Sequence, residues 1–236
     1  MENADSTSLP YRELQKGVQE ELPILLGVIP LGMIYGVLAA GAGLSPLESQ
    51  AASSVIFAGS SQFMFVQLVE LGTPALIMIL TGFVINLRHA LYSASIAPYV
   101  KHLSPLWKII LSYLLTDEAY AVTVMHCRQP DGGRAKHWFF LGAGLALWAC
   151  WQLSTAAGIF LGAQVPPAWG LDFSLALTFI ALAVPAVDDR PSLLAAASAG
   201  LTALLAWNWP YKLGFIAAAF VGIAVGIWSE KRGEKR

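Results

Sequence analysis

Charge is scarce in this sequence: Lys and Arg together number 14 and Asp and Glu 15 among 236 residues, for a net charge of −1. A chain this poor in basic residues offers no cationic face to a phosphate backbone, which excludes nucleic acid as a partner. Cysteine is scarcer still. Cys127 and Cys150 lack CxxC spacing and any partner for a metal site, so both read as packing residues, and neither metal nor cofactor is expected. Met1 to Glu21 lacks the basic start, apolar core and small-residue cleavage site of a signal peptide, so the first hydrophobic segment is expected to stay as a helix.

What the chain does have is apolar length. It is 56% hydrophobic and 12% charged, with a mean hydropathy of +0.61 and 8 Trp, too little polar surface for an ordinary soluble domain. The pattern predicts an all-α membrane protein, a polytopic bundle of about seven to eight transmembrane segments with broken helices and an internal repeat. The segments are Leu22–Gly43, Ala51–Leu71, Thr73–Val100, Leu106–Met125, Trp138–Leu161, Phe173–Val187, Ser192–Trp207 and Tyr211–Trp228. The sixth and seventh are short, a common sign of broken helices whose backbone ends line a site. The expected organisation is a cytoplasmic tail over residues 1–21, one transporter domain over 22–228 and a basic cytoplasmic tail over 229–236.

Orientation follows from basic residues in short connections. The loop carrying Arg128, Arg134 and Lys136 and the tail ending Lys235-Arg236 are the richest, and eight crossings put both, with the N-terminus, in the cytoplasm. Lys101 and Lys108 then flank a loop on the outer side, the one placement that resists; a re-entrant third segment would relieve it and flip everything after it. One shift of register pairs Gly36 with Gly158, Phe57 with Phe179 and Asn86 with Asn208, the signature expected of a repeat whose halves meet at a site.

Polar residues inside the apolar segments are the candidates for function. In the third, Ala75 to Ile85 reaches roughly halfway across a hydrocarbon core of about 30 Å before Asn86, Arg88, His89 and Tyr92 arrive. Arg88 facing lipid there would cost on the order of 3 kcal/mol, so it should face protein or a water-filled cavity. Its planar fork suits a substrate carboxylate, or an acidic residue of another helix, or it anchors a helix end. His89 could relay a proton or sit as a satisfied structural histidine. In the second segment Gly59, Ser60 and Ser61 mark a place for the helix to unwind, or a small-residue packing seam, and Gln62 brings an amide to mid-span. In the fourth, adjacent Asp117 and Glu118 are hard to explain as packing; one can pair with Arg88 while the other binds and releases a proton.

These stretches resemble the AzlC family, the large subunit of two-component branched-chain amino acid permeases. The resemblance rests on Gly27 to Gly32 with Gly36, Phe57 to Gln62, Asn86 to Tyr92, Thr116-Asp117-Glu118, Trp151 with Gly158 and Gly162, and Leu171-Asp172-Phe173 with Phe179. It implies export of valine, leucine, isoleucine and methionine across a bacterial inner membrane, driven by protons, together with a small AzlD-type membrane subunit. It carries no assigned binding residue. From the residues themselves, Gly59, Ser60, Ser61, Gln62, Asn86 and Arg88 are expected to hold the substrate, with Phe57, Phe63 and Phe179 as apolar walls, and Asp117, Glu118 and His89 to couple protons. The competing readings are an intramembrane enzyme using His89, Asp117 and Glu118, which no HExxH or GxSxG motif supports, and a non-transporting scaffold for the small subunit.

Overall fold

The structure, a computed structural model, describes residues 3–129, 135–162, 187, 189–210 and 213–233. Among the described residues it is helical throughout, without strands: α1 (Asn3–Gly41), α2 (Pro46–Ile56), α3 (Gly59–Glu70), α4 (Ala75–Asn86), α5 (Arg88–Val100), α6 (Pro105–Tyr113), α7 (Asp117–Arg128), α8 (Lys136–Gly162), α9 (Arg190–Leu205) and α10 (Leu213–Gly233). The expected sixth segment, with Asp172 and Phe179, lies outside the described residues. The chain divides into one unit of Met1–Met64 with Ile85–Pro167 and another of Phe65–Val84 with Ala168–Arg236.

Small residues let α1 and α8 pack backbone to backbone in the first unit. A Cβ added to Gly36 would stand 2.4 Å from the Thr155 carbonyl oxygen, and one added to Gly158 would stand 2.1 Å from that of Met33. Gly17 meets Phe139, Gly32 meets Ser154 and Gly162 meets Val37, so contacts advance together along both helices and the two run parallel. The register shift that pairs Gly36 with Gly158 also pairs Met33 with Thr155, and these four residues contact one another reciprocally. Hydrogen bonds then tie α2 to α8: Gln50 Nε2 donates to Gln152 Oε1 at 2.6 Å, the Ser54 hydroxyl to the same oxygen at 3.0 Å, and the Ser53 and Thr155 hydroxyls meet at 3.1 Å.

Hydropathy alone merges helices that the fold separates. Three helices are individually long and apolar enough to cross a membrane, over Leu9–Gly41, Lys136–Gly162 and Leu213–Arg232, and α4 with α5 makes a fourth if the pair is one span. The expected second segment is α2 and α3, parted at Phe57 and Ala58; the third is α4 and α5, bent by 43° at Leu87; the fourth is α6 and α7, parted at residues 114–116. The seventh, expected to be short, is the helix α9 of 16 residues. The break in the second comes two residues before the expected Gly59, which instead opens α3. Phe57 takes a left-handed conformation (φ 35°) that a bulky residue adopts only where packing enforces it; its ring is buried and lies 5.8 Å from that of Tyr113. Gly59 leaves room there for the Trp151 ring, which would stand 3.2 Å from an added Cβ.

Capping fixes where helices restart. Ser45 and Glu48 form a reciprocal capping box ahead of α2, and the Ser45 hydroxyl and amide hold the exposed Glu48 carboxyl below its usual range. Thr116 caps α7, accepting from the Ala119 amide at 3.3 Å. At the other end of α7, His126 is buried, bonds Glu13 of α1 through Nε2 at 2.7 Å and stacks on Phe139 at 3.9 Å. In the second unit α9 and α10 pair antiparallel, Gly214 against Ala206 and Gly222 against Ala199. Leu201, Leu204 and Leu205 of α9 and Phe220 and Ile223 of α10 remain exposed, a surface suited to lipid.

Candidate functional site

The three breaks in the first unit deliver polar side chains to one cluster. Ser60 and Ser61 lie in the first turn of α3, Asn86 is the last residue of α4, Arg88 the first of α5, and Asp117 and Glu118 the first two of α7. An interior helical position would bury each side chain against its own helix's neighbours; a helix end leaves both side chain and unpaired backbone groups free to address a common point. The carboxylates also sit where the positive end of the α7 dipole favours them.

Arg88 organises the cluster. Its Nη1 pairs with Asp117 Oδ2 and its Nη2 donates to the Ser60 hydroxyl at 2.8 Å, so one guanidinium ties α5 to both α7 and α3. Ser61, buried, donates to Asn86 Oδ1 at 2.8 Å and closes α3 onto the end of α4. His89 Nδ1 lies 3.2 Å from the Asn86 carbonyl oxygen, and its ring meets Tyr92 edge-on at 5.9 Å. Tyr92 stacks on Tyr120 at 4.5 Å, and the Tyr120 hydroxyl donates to Ser95 at 3.0 Å, which fixes α5 against α7. The side chains of Arg88 and Asp117 keep 32% and 37% of their exposure, so the pair is reachable from outside the packed core.

Of the residues expected at the site, Ser60, Ser61, Asn86, Arg88 and Asp117 meet in this cluster, His89 adjoins it through Asn86, and the others lie outside it. Gly59 supplies space for Trp151 and no contact to the cluster. Gln62, two residues after Ser60, is fully buried, its amide making no hydrogen bond to the described residues, with the Tyr35 hydroxyl as neighbour. Asp117 takes the ion pair with Arg88, leaving Glu118 beside the Thr116 hydroxyl. Phe57 and Phe63 are both buried in packing, Phe63 edge-on to Tyr35 at 6.4 Å. No group of three or more His, Cys, Asp or Glu among the described residues could hold a metal ion.

Sequence reasoning missed Glu21. It lies on α1 with its side chain fully buried, neither oxygen bonded to a described residue, and close enough to Glu118 for the two charges to interact. Its neighbours in the sequence, Glu20 and Leu22, are exposed, so the polar run into which it falls gives no sign of burial. A cavity of about 310 Å³ lies apart from the cluster, between α5, α6 and α8, with Ile96, Leu111, Leu115 and Phe140 as its apolar lining and Lys101 and Lys108 at its edge.

A helical chain with spans of membrane length, whose ionisable groups gather where helices break, defines a helical membrane protein with a polar site inside its apolar body. The family model described as AzlC protein matches residues 23–165, and the chain belongs to the AzlC family. It is 33% identical to an "Uncharacterized membrane protein" of Archaeoglobus fulgidus over 91% of this chain and 94% of that one. It is 28% identical to the "Inner membrane protein YgaZ" of Escherichia coli over 79% of this chain and 80% of that one. With the "Branched-chain amino acid transport protein AzlC" of Bacillus subtilis it shares 27% identity over 68% of this chain and 63% of that one. No solved structure matches the chain. The family match contains every residue of the Arg88 cluster and begins two residues after Glu21.

Proposed function

We propose that this chain is the large subunit of a secondary transporter that exports valine, leucine, isoleucine and methionine across a bacterial inner membrane in exchange for protons, working with a small AzlD-type membrane subunit. The observation that carries this reading is the convergence of three helix breaks on Arg88, Asp117, Ser60, Ser61 and Asn86. A zwitterion needs both signs of charge and unpaired backbone dipoles inside an apolar body, and helix ends supply them. Arg88 and the first turn of α3 suit the substrate carboxylate, while Asp117 and the end of α4 suit its ammonium group. An apolar pocket separates side chains that differ by one methylene by only about 1–3 kcal/mol, hence overlapping use of the four amino acids. Glu118, beside the cluster and outside the ion pair, is the proton carrier, with His89 as relay.

Membership of the AzlC family and the transport name of the Bacillus subtilis relative support a transporter over an enzyme. The parallel course of α1 and α8 supports the crossing count: two parallel spans require an odd number of crossings between them, as three broken segments provide and a single re-entrant one would not. With the basic loop and tail on the inner side, we read both termini as cytoplasmic. The test is flux. Proteoliposomes loaded with radiolabelled valine, with and without the small subunit, should release it when a proton gradient is imposed, with competition by leucine and methionine. Absence of valine movement with both subunits present and folded would overturn the reading.

A further inference from the structure

Glu21 is a carboxyl group in a place that ordinarily excludes one. It is fully buried, neither oxygen has a hydrogen-bond partner among the described residues, and neither of the ion pairs found among them includes it. Burying an ionised carboxylate without a partner costs several kcal/mol, and in practice such a group keeps its proton. Its surroundings make the ionised form costlier still. On α1 itself Lys16 and Glu20 point outward, and Glu13, two turns away, is engaged by His126. Along α8, Gly142 and Ala143 pack on α1 at Leu14 and Gly17, Gly144 packs on Leu114, and the helix's cations are confined to its start at Lys136 and His137. On α7 Asp117 is paired with Arg88, and Glu118, which Arg88 also reaches electrostatically, is the charged group close enough to act on Glu21. On α2 the one charged residue is Glu48, exposed and tied to Ser45.

We infer that Glu21 and Glu118 form a two-carboxyl site that binds the proton driving transport, with Glu21 as the second acceptor. The inference rests on the proton-exchange reading proposed above. Two carboxyl groups close enough to interact hold a proton more readily than either would alone, because two carboxylates repel, and the pull of Arg88 on Glu118 offsets this only in part. Binding leaves the pair with one proton and one negative charge; release to the opposite side leaves two carboxylates, a state stable only when water reaches them. The pair therefore favours burial when loaded and hydration when empty. Glu118 adjoins Asp117 in sequence and Asp117 holds Arg88, so loss of the proton adds negative charge beside the group expected to hold the substrate carboxylate. Protonation and amino-acid occupancy are thereby linked through one helix turn.

The full chain, reconstituted with its small membrane subunit, provides the test. In wild-type vesicles valine flux should rise when a pH gradient is imposed; in Glu21→Gln the flux with a gradient should fall to the level seen without one. A Glu21→Gln protein whose flux still rises with the gradient, in parallel with wild type, would overturn the inference while leaving the transport reading standing. Wild-type vesicles that move no valine under any gradient would instead overturn the transport reading. Infrared difference spectroscopy on the wild-type protein gives a measurement that needs neither flux nor a folded Glu21 variant. A protonated-carboxyl C=O band that is present at neutral pH, shifts in deuterium oxide and changes in Glu118→Gln is the expected result. Absence of any such band at neutral pH would contradict it.

Discussion

Arg88, the first residue of α5, is paired through Nη1 with Asp117, the first residue of α7. Both stand where a helix begins, and each remains about one-third exposed, so the pair is assembled by packing and still open to a ligand. Its other amino group reaches Ser60 at 2.8 Å. Lysine carries its donors on a single nitrogen and lacks the planar fork that sets two separate nitrogens against acceptors on different helices. Arg88→Lys, Arg88→Ala and Asp117→Asn should each weaken amino-acid binding. Discounted for partial exposure, loss of one partner is worth about 1–3 kcal/mol, or roughly five- to 150-fold in affinity. Titration of purified variants with valine measures it, and an unchanged affinity in Arg88→Ala would remove the pair from the site.

Glu118→Gln should insert and fold as wild type does, because Asp117 and not Glu118 holds the ion pair with Arg88. Its valine flux should lose dependence on the pH gradient. Flux that keeps the wild-type pH profile would exclude Glu118 from proton coupling.

Gly36→Ala should destabilise the first unit by about 1–3 kcal/mol, since the new methyl would sit 2.4 Å from the Thr155 carbonyl oxygen and backbone must move to admit it. Gly27→Ala, on the same helix with nothing within 4 Å, should be neutral or stabilising by up to about 1 kcal/mol. Thermal unfolding in detergent compares the two. Equal melting temperatures would mean that α1 and α8 do not pack through Gly36.

At the start of α2 the Ser45 hydroxyl and amide keep the Glu48 carboxyl below its usual range. A group depressed in the folded state stabilises it at pH values above its unfolded value and loses that contribution as pH falls through the folded value. Amide protection in the first turn of α2 should therefore drop on acidification, and Glu48→Gln should abolish that drop. Protection that is flat with pH in the wild type would show the capping box to be unimportant there.

The chemistry of the cluster was legible from sequence because charge inside an apolar run has few explanations: Arg88, Asp117 and Glu118 stand out against their neighbours whatever the fold. The breaks that assemble them were less so. Phe57 carries no turn signal, and its left-handed backbone is imposed by packing beside Tyr113, whereas Gly59, the visible breaker, opens a helix. The ties between Gln50, Ser54 and Gln152 join residues far apart in the chain and had no local trace. Glu21 was hidden for the opposite reason to Arg88. It sits in a polar run, where one more carboxylate looks solvated, and only the packing of α1 on α7 and α8 reveals it as buried.

The central claim, that an amino acid binds where the helix breaks meet Arg88, is tested most directly by equilibrium binding of radiolabelled valine to the purified chain with its small subunit. The account predicts saturable binding that leucine, isoleucine and methionine displace, that lysine and glutamate do not, and that Arg88→Ala weakens by roughly five- to 150-fold. Valine binding of the same strength in the wild type and in Arg88→Ala would contradict it.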